Sequence, residues 1–160
     1  MRPPKNRPAS NTQVLHLRPA VASSLSLQHA FNFLRQGQGE RAMPLLEKLL
    51  QNDPQNFDAL HLLGQLHLQR REAAQALQCL EKARALKPPA AALLNNLGSA
   101  LRLLGRASEA LDCYAQALRQ APAHPDALAN ITALLERLGQ PQEAARYRQK
   151  AAQAGGPASG

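Results

Sequence analysis

A 34-residue period constrains this chain more than anything else in it. Sliding the sequence by that interval aligns Ala42, Ala76, Ala110 and Ala144 without a break, and it aligns Pro54, Pro88 and Pro122. The same frame superposes Leu60, Leu94 and Leu128, then Leu63, Leu97 and Ile131, then Ala30, Gly64, Gly98 and Thr132, then Ala83, Ala117 and Ala151. A fixed period of this length marks a repeat architecture, in which one supersecondary unit stacks on copies of itself.

Residues 91–124 show what the unit is. Leu94, Leu97, Leu101 and Leu104 fall at three- and four-residue steps, as do Ala110, Tyr114, Ala117 and Leu118 beyond Gly105-Arg106. That spacing predicts two amphipathic helices joined by a short turn. Gly105 suits the left-handed position after a helix end, and Pro122 stops the second helix. The small-residue columns let two helices approach closely while leucines fill the space beside them. One hairpin cannot bury both its faces, so stability requires about three or more stacked units.

With Leu94, Leu97, Gly98, Leu101, Gly105, Ala110, Tyr114, Ala117 and Pro122 in place, the unit resembles the tetratricopeptide repeat. Leucine stands at the family's tryptophan position. The resemblance covers four units, near 23–56, 57–90, 91–124 and 125–156, and implies an all-α fold: a right-handed superhelical array of helix-turn-helix repeats. It also implies a concave groove, lined by the first helix of each pair, that holds a peptide or another protein. On that basis the groove residues are Gln28, Phe31 and Arg35; His61, Gln65 and Gln69; Asn95, Asn96, Ser99 and Arg102; and Asp126, Asn130, Ala133 and Arg137. Asn96 and Asn130 share a column. An amide both donates and accepts, so such a ladder can hold an extended peptide by its backbone, as in the protein O-GlcNAc transferase arrays that this stretch resembles locally. The alternative is that asparagine is simply common at that column. The carboxylate clamp of chaperone-binding family members is disfavoured, because Asp126 stands where a clamp lysine would be.

Departures from the pattern carry their own expectations. Residues 1–22 are rich in Pro, Arg and Asn and read as a disordered basic tail, either merely solvated or an arm for an acidic partner. Ser23 and Ser24 are expected to cap the first helix. Ser26 and His29 replace core leucines in this terminal repeat. Pro44 falls inside the second helix, giving a bend, unless that helix starts near Met43 with Pro44 in its first turn. Arg71 replaces the turn glycine, so that turn finds another geometry or bears a left-handed penalty. Pro141 suits a helix start. Arg148, where Leu80 and Tyr114 stand earlier, makes the last repeat its own polar cap. Residues 157–160 form a flexible end.

Charge and composition narrow the function. The net charge is +8, but Arg2, Lys5, Arg7 and Arg18 sit in the acid-free leading segment, which leaves the repeats an ordinary solvated surface. Cys79 and Cys113 occupy equivalent sites in stacked repeats, roughly 8–10 Å apart at helix-packing distance, too far for a disulfide. Two free thiols suit a reducing compartment, and a cytoplasmic location is expected. No run of about 20 apolar residues provides a membrane span, and no apolar stretch follows the N-terminal cations to make a signal peptide.

No catalytic, cofactor or metal constellation is expected. His61 and His67 are six apart and face different sides of a helix; His29 and His67 occupy core columns. Gly37-Gln38-Gly39 lacks the strand that a phosphate loop needs. The sequence therefore reads as a non-catalytic interaction scaffold or adaptor whose partner is another protein or peptide segment. Two alternatives remain: a targeting module for a separately encoded glycosyltransferase-like enzyme, and a basic nucleic-acid-binding repeat protein, which the scarcity of aromatics disfavours.

Overall fold

The computed structural model describes residues 19–154, with side chains from residue 23. Eight helices make up the described residues: α1 (Pro19–Arg35), α2 (Gly39–Asn52), α3 (Phe57–Gln69), α4 (Ala73–Leu86), α5 (Ala91–Leu103), α6 (Ala107–Gln120), α7 (Pro125–Arg137) and α8 (Pro141–Ala154). Each odd helix pairs with the even helix after it, and each pair packs on the next, so that α3, α5 and α7 also touch one another along one side. The result is the superhelical array of helix hairpins that the period predicts.

The turn inside each hairpin has one geometry repeated four times. Gly37, Arg71, Gly105 and Gly139, one period apart, all take positive φ, at 70°, 59°, 77° and 72°. In each case the next residue's N–H reaches back to a carbonyl five residues earlier: Gln38 to Phe33, Glu72 to His67, Arg106 to Leu101 and Gln140 to Leu135, at 2.8–2.9 Å. This double-bonded helix ending satisfies the orphan carbonyls of the odd helix. Arg71 therefore keeps the turn and bears the left-handed penalty.

Size complementarity between columns builds the core. Ala42, Ala76, Ala110 and Ala144 are all fully buried. In the two middle hairpins a small residue faces a large one: a Cβ placed on Gly64 would stand 2.6 Å from Leu80, and one on Gly98 would stand 2.6 Å from the Tyr114 ring. Those two glycines exist to admit the side chains that fill their repeats. In the last repeat the column reverses. Thr132 replaces glycine, and Arg148 turns to solvent, where it pairs with Glu136 at 3.3 Å.

Several expectations near the N-terminus are corrected. Helix α1 begins at Pro19, so Ser23 and Ser24 lie inside it rather than capping it. Proline is favoured at a first helical position, and the alanines and valine after it do not compete for backbone bonds. His29 is exposed, not a core residue, because none of the described helices covers that face. Helix α2 starts at Gly39, which places Pro44 within it and excludes the later start near Met43. The leading residues up to 18 and the terminal 155–160 lie outside the described residues.

Candidate functional site

Helices α3, α5 and α7 touch along one side of the array and carry most of the positions expected to line a groove. At the centre of that side these positions form a polar network rather than presenting free side chains. Asn96 Nδ2 donates to His61 Nε2 at 3.0 Å, linking α5 to α3. Asn130 Nδ2 donates to Asn95 Oδ1 at 3.0 Å, with Ser99 Oγ at 3.5 Å, linking α7 to α5. Ser99 donates in turn to the Asn95 carbonyl at 3.1 Å and stands 3.2 Å from the Tyr114 hydroxyl.

Burial follows from these bonds. Asn95 is buried, while His61, Asn96, Ser99, Arg102 and Asn130 are half-buried. Burial pushes the His61 pKa down, against a weaker upward pull from Asp58. A neutral imidazole with Nε2 unprotonated is the form that accepts from the Asn96 amide. Arg102 has a buried Nε without a hydrogen-bond partner among the described residues.

The remaining groove residues are spread outward. Gln28, Phe31, Arg35, Gln65, Gln69, Asp126, Ala133 and Arg137 are exposed and make no side-chain hydrogen bond to the central cluster. At the α1 end the structure adds Leu27, Asp58 and Leu62, which line a cleft with Phe31 and His61. The sequence does not single them out, because the repeat frame assigns groove columns helix by helix and does not show which neighbouring side chains close a cleft between α1 and α3. Tyr114 was also missed: it reads as a core residue by column, yet its hydroxyl reaches Ser99. A buried tyrosine's need for a hydrogen-bond partner was the available signal.

Among the described residues, no group of three or more His, Cys, Asp or Glu can hold a metal ion, and no helix is long and apolar enough to cross a membrane. Cys79 and Cys113 are both free thiols.

Comparisons with known proteins agree with this architecture. Models of the tetratricopeptide repeat match residues 33–100 and 91–124, which together span more than half of the chain. Among solved structures, the array is similar to MamA (TM-score 0.74, 23% identity, over 82% of this chain and 77% of that one). It is similar also to MamA AMB-1 (TM-score 0.70, 27% identity, over 84% and 79%). A third likeness is to an O-GlcNAc transferase mutant from Thermobaculum terrenum, with TM-score 0.79 and 28% identity over 85% of this chain but only 26% of that one. No curated protein matches the sequence.

Proposed function

The chain belongs to the tetratricopeptide repeat family, whose members bind other proteins, and from that premise we propose that it is a non-catalytic scaffold holding an extended partner segment across the odd helices. The observation that carries this reading is the pair of half-buried amides at Asn96 and Asn130. Each donates a side-chain N–H to the preceding repeat, and each has a side-chain oxygen that receives no hydrogen bond among the described residues. Two acceptors fixed in register by the fold suit the N–H groups of an extended backbone.

Because Asn96 and Asn130 also tie repeats together, replacing them with alanine would disturb the array as well as the groove. Exposed positions make the cleaner test. Gln65→Arg and Ala133→Arg should abolish capture of the partner from lysate with helicity unchanged, while Gln78→Arg and Gln116→Arg on even helices should not. Capture that survives both groove substitutions overturns the reading.

A second reading, a targeting module for a separately encoded glycosyltransferase-like enzyme, draws support from the likeness to the O-GlcNAc transferase. It uses the same groove and differs in what the partner does. The two free thiols fit a cytoplasmic setting.

A further inference from the structure

The groove is not uniform along its length. Around Asn95, Asn96 and Asn130 it is polar, but between α1 and α3 it opens into a cleft of about 570 Å³ walled by Leu27, Phe31 and Leu62, with Asp58, His61 and Gln65 beside them. Phe31 is 52% exposed, more than any other large apolar side chain among the described residues. Of the exposed leucines, Leu104 and Leu138 lie at helix ends next to turn glycines, and Leu25 lies on α1 outside the cleft lining. An exposed ring inside a concavity is the usual mark of a site that takes an apolar group.

Asp58 gives the cleft a sign. It is exposed, forms no ion pair among the described residues and is the one acid in the cleft lining. Helix-dipole stabilisation accounts for an acid in the first turn of α3. It does not account for that acid lying at the edge of an apolar pocket. Nor is there a cation in the lining to answer it: His61, its nearest titratable neighbour there, is held towards its neutral form by burial.

We propose that this cleft is the specificity subsite of the groove, taking one large aliphatic or aromatic side chain of the partner segment while a lysine or arginine of the same segment pairs with Asp58. The inference rests on the reading that the groove holds an extended partner. In an extended segment side chains two residues apart point the same way, about 6.6–7 Å apart, so the cation stands two residues from the anchor. The anchor supplies burial, and the ion pair at the exposed rim supplies discrimination more than affinity.

The test is a titration of the isotope-labelled full chain with acetyl-GSFSKG-amide, followed by amide chemical shifts. Shifts should centre on Phe31, Asp58 and His61. Glutamate in place of the probe's lysine should weaken binding roughly threefold, and alanine in place of its phenylalanine should abolish it. Asp58→Asn should remove the preference for lysine and keep the need for phenylalanine. Equal binding of the lysine and glutamate probes overturns the proposal, as does a response centred on Asn96 and Asn130, which would leave the groove reading intact. A response that appears only after deletion of residues 1–18 overturns it too, since Val14, Leu15, Leu17 and Arg18 carry the same chemistry and the occupant would then be the chain's own segment. Failure of the groove reading itself shows separately, as capture that survives Gln65→Arg and Ala133→Arg.

Discussion

Arg71 stands at φ 59° in a turn that its three counterparts make with glycine. A Cβ at left-handed φ crowds the following carbonyl, so Arg71→Gly should raise unfolding free energy by about 1 kcal/mol, read from urea denaturation. A neutral or negative effect would mean that the arginine side chain stabilises the turn by contacts that offset the strain. Gly98 works in the opposite sense. A methyl there would meet the Tyr114 ring at 2.6 Å, and Gly98→Ala should destabilise by about 1–3 kcal/mol in the same measurement. His61 sets a pH dependence. Its folded pKa lies below the ordinary 6.5, so the unfolded chain binds the proton more readily. Its contribution is therefore complete above about 6.5 and is lost as pH falls from there towards the folded value. The midpoint of denaturation should drop over that range, and His61→Gln should flatten the drop. At this scale the sequence was legible wherever a residue's demand is steric and local, as at Gly105. It was opaque where the demand is a partner: His61, Asn95 and Tyr114 owe their roles to atoms on other helices.

Helix boundaries were legible where the period repeats without interruption. Helices α3, α5 and α7 begin at Phe57, Ala91 and Pro125, the positions the 34-residue frame selects. The frame fails for α1, since Pro19 and the apolar residues after it form helix upstream of any repeat boundary. Pro44 shows a second limit. The sequence raised the conflict between its ring and a helix interior but left two resolutions open, and the structure keeps the proline as the sixth residue of a helix starting at Gly39. Pro44 is exposed, so its side chain contributes little packing to set against the lost backbone bond. Pro44→Ala should therefore stabilise the array, by less than the roughly 3 kcal/mol of an interior proline because the unfolded chain also gains freedom. Thermal denaturation checks the direction, and a lower midpoint would show that the proline is accommodated without strain.

For the whole molecule, alignment at 34 residues fixed the stacking but hid the bonds that cross it. Asn96 meets His61 and Asn130 meets Asn95 at a separation of 35, so each bond joins different columns of adjacent repeats. Periodicity compares like with like and cannot show such diagonal contacts. The same whole-array logic applies at its end, where Arg148 occupies the column filled by Leu80 and Tyr114. Arg148→Leu should preserve the fold and expose an apolar patch on α8, giving concentration-dependent association in sedimentation velocity; unchanged sedimentation would show that the arginine is not what keeps that face from associating. The groove remains the centre of the account. A photo-activatable side chain placed at Gln65, and in a separate protein at Gln116, tests it most directly in a lysate. The account predicts a crosslinked partner from Gln65 and none from Gln116; a partner crosslinked from Gln116 alone would contradict it.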